Sequence, residues 1–290
     1  MKRAYAYMHI AIFLWGFTGI LGRAISLDYG QLVWYRMLLS ALSLGLYIWY
    51  KKEWVAPPKK EIVKMLATGS IVAIHWVLFY AAIKFSNVSV TLSCFATITL
   101  FTAIFEPIFF SRKIVGREIM LSLFTIAGIA FIAAAQQVFI TGILLALASA
   151  AMGSVFTIFN KKFVANHVPT TVTFLELSGG FLFLTLLLPV YFGITSFSFQ
   201  IPGAWDFLFL LLLSIVCTTL AFSLSLIALQ KLNAFVLNLS VNLEPLYSII
   251  LAILIFKENT DLNGGFYLGT AIILGAVFIH GLLQFKARPK

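Results

Sequence analysis

The chain has 290 residues, of which 61% are hydrophobic and only 10% charged, with a mean hydropathy of +1.02. A soluble domain carries roughly a quarter charged residues, so this composition excludes a water-facing surface over most of the chain and leaves an integral membrane protein. The net charge of +10 argues no more for nucleic acid than for basic loops at a membrane face, and nucleic acid is not expected as a partner.

The N-terminal "MKRAYAYMHIAIFLWG" reads as the first of many apolar runs, not as a cleaved signal. A helix needs about 20 apolar residues to cross the hydrocarbon layer. Cutting at charges, prolines and polar clusters predicts spans near 6–25, 31–50, 64–83, 88–110 and 117–136, then 140–160, 170–193, 204–229, 234–256 and 264–285. With alternating orientation, all but Arg23, Arg36, Lys84 and Lys257 of the 20 Lys and Arg fall on the side that holds both termini. That bias predicts cytoplasmic termini in a multi-pass protein of the plasma (inner) membrane. Cys94 and Cys217 lie inside apolar runs and imply no disulfide framework.

The two halves resemble each other. Laying 82–110 over 228–256 matches Asn87 with Asn233, Val90 with Val236, Leu100 with Leu246 and Phe110 with Phe256. Five spans per half is an odd number, so the second half inserts upside down. The expected organisation is a first repeat over 1–137 and an inverted second repeat over 138–290. Inverted repeats are the architecture of secondary transporters. The expected fold is therefore an all-α membrane protein of ten transmembrane helices, in two inverted five-helix repeats around a central cavity.

Helix 9 carries the most unusual stretch, "NLSVNLEPLYS" (238–248), amid apolar sequence. At 100° per residue Asn238 and Asn242 share one face, while Ser240, Glu244 and Tyr247 cluster on another. Pro245 cannot donate a backbone hydrogen bond, and it crowds the carbonyl of Val241. Interrupted helices near the midplane hold substrate in transporters, and an intramembrane carboxylate is a functional candidate. The competing reading is a proline kink with asparagines that pack helices. Helix 3 adds His75, a candidate proton sensor or a neutral interhelical hydrogen-bonding group. Trp76 and Tyr80, four apart, form a candidate aromatic wall. Helix 1 adds Trp15, with Gly16, Gly19 and Gly22 read as packing residues. Helix 4 adds Thr91, Thr97 and Thr99 at matching levels. Arg36 and Glu176 occupy corresponding repeat positions and, with Glu244 and His75, are candidates for gating or proton coupling. Glu106, before Pro107, is expected to be structural, paired with a cytoplasmic Arg or Lys.

"FLWGFTGILGR" (13–23), "WYRMLL" (34–39), "GILLALASAAMGSVFTIFNKKF" (142–163) and "LNLSVNLEPLYSIILAILIFKEN" (237–259) resemble the drug/metabolite transporter superfamily, in its EamA branch. The resemblance covers essentially the whole chain, with Thr99 standing where family members often have proline. It implies a cavity lined by helices 1, 3, 4, 6, 8 and 9, with helices 5 and 10 outside, and a cargo of small metabolites, often exported amino acids. The candidate substrate-binding set is Asn238, Asn242, Glu244, Tyr247, His75, Trp76, Tyr80, Trp15, Thr97 and Thr99. The expected partners are a small-molecule substrate, the lipid bilayer and a coupling proton, with no cofactor or metal and no oligomeric state readable.

Other functions are weighed from the same residues. A sugar-phosphate or nucleotide-sugar antiporter needs fixed cations in the cavity, and only Arg36 is well inside a span. No Walker loop or H-E-x-x-H motif occurs, and the scattered histidines flank no nucleophile motif of an intramembrane enzyme. A scaffold has no use for midplane Asn and Glu.

Overall fold

The computed structural model describes every residue except 1, 112, 114–115, 136–138, 195–197, 242, 261 and 287–290. The described residues fold into helices joined by short turns. In chain order these are α1 (Lys2–Ala24), α2 (Tyr29–Lys51), α3 (Lys59–Phe85), α4 (Val88–Phe109), α5 (Gly116–Ala135), α6 (Ile140–Phe163), α7 (Pro169–Ile194), α8 (Ala204–Leu229), α9 (Ala234–Phe256) and α10 (Gly264–Lys286). Among the described residues, eight of them are long and apolar enough to cross a membrane. The protein is a multi-pass, all-helical membrane protein. Asn242, one of the candidate site residues, lies outside the described residues.

Helix starts follow from side-chain caps. Asp28 accepts from the N–H groups of Gly30 and Gln31 at the start of α2. Asn87 and Asn233, matched by the repeat, each accept from the N–H three residues on, Val90 and Val236, opening α4 and α9 alike. Within the bundle, α3 packs against α6 and α7, α2 against α7 and α8, and α1 against the second half of α8. The helices α5 and α10 pack mainly on each other, beside this bundle. Lipid offers no hydrophobic drive for helices to associate, so small residues at crossings matter. At the α3–α7 crossing, a Cβ on Gly69 would overlap the Glu176 carbonyl and one on Gly179 would overlap Leu66 backbone.

Three helices are broken near their middles. The helical turns stop at Gly16–Phe17 in α1, at Ala96–Thr97 in α4, and just before Glu244 in α9. In α1, the Gly16 carbonyl is taken by the Ser248 hydroxyl at 2.6 Å, which satisfies a backbone group that lipid could not. Helix α8 carries a π-helical stretch, Leu212–Leu220. There Thr218 donates to Leu213 O and Ser40 of α2 donates to Ser214 O. Such stretches often mark functional positions.

Polar contacts tie together the side away from the termini. Arg23 pairs with Glu258, Ser26 bonds Asp206, and Lys84 donates to Ile25 O at 2.9 Å. Gln31 bridges the α7–α8 connection, donating to Ser198 O and accepting from Gln200 N.

Candidate functional site

A cavity enclosing about 690 Å³ of atom-free space, its open end included, lies among α1, α2, α3, α4, α6, α8 and α9. Its lining is mostly apolar, with Phe95, Phe156 and Phe222 prominent. It runs from Thr18, Arg36 and Glu244 toward Asn160, Leu229 and Leu237. The last three sit near the ends of α6, α8 and α9 that lie on the terminus side. The cavity thus extends toward the terminus side, and the polar ties close the opposite one.

Arg36 is buried in the wall and rigidly held. Its Nε donates to Thr218 Oγ1 at 2.7 Å and its Nη1 to the Tyr80 hydroxyl at 2.8 Å. The guanidinium lies 3.7 Å over the Trp76 ring, a stacking geometry that suits arginine and not lysine. Glu244 faces the same cavity, at the start of the second part of α9. Its one described partner is the Thr18 hydroxyl at 3.4 Å, which already donates to Trp15 O at 2.7 Å. Arg36 and Glu244 line the same cavity, but no ion pair joins them.

Two neutral groups complete the polar lining. The His75 Nδ1 lies 2.9 Å from Ser149 O and 2.8 Å from Ser149 Oγ. The Ser149 hydroxyl donates to His75 O, so Nδ1 must carry a proton, and Nε2 is left as the ring's acceptor. The ring lies between Phe95 and Phe156, with centroids 5.4 and 5.3 Å away. Asn238 donates from Nδ2 to Thr102 Oγ1 at 2.8 Å, and no described bond uses its Oδ1.

Of the sequence candidates, Trp15, Arg36, His75, Trp76, Asn238 and Glu244 line the cavity. Tyr80 does not; it is fully buried behind Trp76 and holds Arg36. Tyr247 packs its ring on Phe13 and its Cβ region against Gly16. Thr97 and Thr99 are turned to their own helix, donating to Cys94 O and Ala96 O. Glu176 is buried outside the lining. The expected separation of Asn238 from Glu244 fails because ideal 100° spacing was carried across a helix that is broken between them. Arg36 brings α2 into a cavity that the family resemblance assigns to other helices. Glu106 accepts from the Phe235 N–H at 3.0 Å, at the first turn of α9.

Sequence reasoning passed over Thr157 and Asn160. Both lie on α6 with Gly153, at the i, i+4, i+7 spacing of one face. Their proximity to Lys161 and Lys162 made the segment read as a helix end.

The model of the EamA-like transporter family matches residues 2–134 and again 140–281. No curated protein matches the chain. A solved structure described only as "Crystal structure of protein" is similar over 100% of both chains, with a TM-score of 0.70 at 17% identity. At that identity the likeness concerns the fold alone.

Proposed function

The chain belongs to the EamA-like transporter family, whose members are membrane transporters of small solutes, and on that premise we propose that it carries a small zwitterionic solute, an amino acid or close relative, by alternating access. The observation that carries this reading is the pair Arg36 and Glu244: a guanidinium and a carboxyl on one largely apolar cavity, with no bond between them. Ionising that carboxyl alone in a low-dielectric wall is costly. A solute bearing a carboxylate and an ammonium at its two ends would satisfy both. No described bond uses Nη2 of Arg36, which remains to donate to the carboxylate, and Glu244 takes the ammonium. His75 Nε2 and Asn238 Oδ1 are further acceptors for that ammonium. Phe95, Phe156 and Phe222 would receive an apolar side chain.

The charge bias predicts cytoplasmic termini, and the cavity extends toward the terminus side; together these support a state that loads from the cytoplasm, and with it export as the direction proposed here. Rocking of the two repeats would break the Arg23–Glu258 and Ser26–Asp206 ties to open the far side. A sugar phosphate fits less well, since among the described lining residues a dianion would meet one guanidinium, Arg36, and also the carboxyl of Glu244.

The test is flux in proteoliposomes with L-leucine and L-phenylalanine beside their decarboxylated amines and deaminated acids. The amino acids should move and the single-charge analogues should not. Equal flux of the amines, or no flux of any amino acid, would overturn the zwitterion reading.

A further inference from the structure

A second intramembrane carboxyl lies outside the cavity lining. Glu176 on α7 is 0% exposed, and neither of its carboxyl oxygens has a hydrogen-bond partner. The amide of Asn160 on α6 is likewise buried, with neither its nitrogen nor its oxygen bonded. The two adjoin closely enough to interact without a hydrogen bond of normal geometry. Asn160 lines the terminus-side end of the cavity and Glu176 does not. A polar chain thus leads from the cavity through one amide to a carboxyl sealed behind it.

Among the described residues, the surroundings supply no cation. Helix α7 packs against α2, α3 and the second half of α8. The charged or titratable groups turned inward on those helices are Arg36, held by Thr218 and Tyr80, His75, held by Ser149, Tyr80 and the buried Cys217. Lys64 on α3 is exposed and paired with Glu61. Lys161, next to Asn160, donates to Leu229 O and Leu232 O. Among all of these and Asn160, only Asn160 acts on Glu176. An ionised carboxyl buried without a partner costs far more than a hydrogen-bonded neutral one, and taking up a proton removes the charge.

We propose that Glu176, reached through Asn160, is a proton-binding site separate from the solute cavity, and that it loads from the terminus side while the cavity is open there. The site deepens the transport reading, because a proton held one residue behind the cavity wall is placed to couple to cargo. In this arrangement Glu244 serves the cargo and Glu176 the proton.

The experiment is infrared difference spectroscopy of the purified protein in lipid nanodiscs during a pH titration, which needs no cargo. The wild type should show a protonated-carboxyl band that disappears on alkalinisation. Glu176→Gln should lose a component of that band which Glu244→Gln keeps. Asn160→Leu should keep the band and move its midpoint, and it carries the test if Glu176→Gln does not fold. A band unchanged in Glu176→Gln, or a midpoint unmoved in Asn160→Leu, overturns the proposal. A band that responds to sodium instead of pH overturns it as well. In proteoliposomes, a pH gradient should accelerate wild-type flux of the amino acids above and leave Glu176→Gln flux unaccelerated. Equal acceleration of both refutes coupling at Glu176, whereas an absence of any amino acid flux bears on the cargo reading and leaves the infrared result standing.

Discussion

Helices α4 and α9 are one element used twice, upside down, and they are broken at the same place by different chemistry. In the register that lays Asn87 on Asn233, the α4 break at Ala96–Thr97 falls on Asn242–Leu243, immediately before the second part of α9 begins at Glu244. In α9 the cause is visible, because Pro245 has no N–H to continue the ladder. In α4 no proline stands at that place. Instead Thr97 and Thr99 donate their hydroxyls to Cys94 O and Ala96 O, three residues back. The backbone N–H groups of the same residues follow the same three-residue path, at 3.2 and 3.5 Å. Side-chain oxygens that compete with the helix ladder can replace a proline. The break therefore belongs to the position in the repeat, and the residue type only executes it.

The inverted relation extends to how each helix begins. Glu106, near the end of α4, caps the first turn of α9 through Phe235 N. Glu258, just past the end of α9, caps the first turn of α4 through Val88 N, Ser89 N and the Ser89 hydroxyl. Each repeat thus holds the other's broken helix by its N-terminus, one on each membrane side, where a carboxylate also complements the helix dipole.

Removing the two caps in turn tests what each contributes. Glu258→Ala loses three hydrogen bonds to a fully buried carboxylate and leaves two N–H groups of α4 bare. It should cost roughly 3 kcal/mol, read as a large drop in thermal stability in detergent. The half-exposed Arg23 adds little to this, since water can take over its charge. Glu244→Gln should barely affect stability, because that carboxyl has only the long contact to Thr18. It should instead weaken solute binding by about 2 kcal/mol or more, some thirtyfold, read by competition in the flux assay. Unaltered competition would mean that the α9 break shapes the cavity without touching cargo. Glu106→Ala removes a cap at the other membrane face and should cost about 0.5–2 kcal/mol. No loss at all would mean that Glu106 does not hold α9 by its N-terminus.

Much of this was legible in the chain. The spans, the two repeats and the broken α9 followed from hydropathy, Asn87–Asn233 matching and Pro245, because these are local or periodic signals. The cavity was legible in part. Trp15, Arg36, His75, Trp76, Asn238 and Glu244 are polar or aromatic residues at membrane depth, which is unusual enough to single out. What could not be read was rotation. A break resets the helical phase, so Tyr247 turned to Phe13 while Asn238 and Glu244 came to one wall. Tyr80 turned behind Trp76 for the same kind of reason: which of two aromatic neighbours meets the cavity depends on where Arg36 lies, on another helix. Asn160 was missed because a polar residue beside two lysines looks like a helix end.

The sharpest test of the comparison is also the one with the smallest expected effect. Thr99 occupies in α4 the place that Pro245 occupies in α9. A proline inside an intact helix loses a hydrogen bond and clashes with the carbonyl four residues back, at about 3 kcal/mol or more. At Thr99 both penalties should be small. Its N–H reaches Ala96 O only at 3.5 Å, and the residue is the second of a new helical segment that starts at Ile98, where proline's fixed φ suits the first turn. Thr99→Pro should therefore change stability by less than about 1 kcal/mol, while Ile104→Pro, in the unbroken second part of α4, should cost the full ~3 kcal/mol. Thermal unfolding of the two variants side by side decides it. Equal losses would mean that α4 is continuous in solution and that the pairing of its break with that of α9 is wrong. A silent Thr99→Pro would establish that both repeats carry the same interruption, written in threonine in one and in proline in the other.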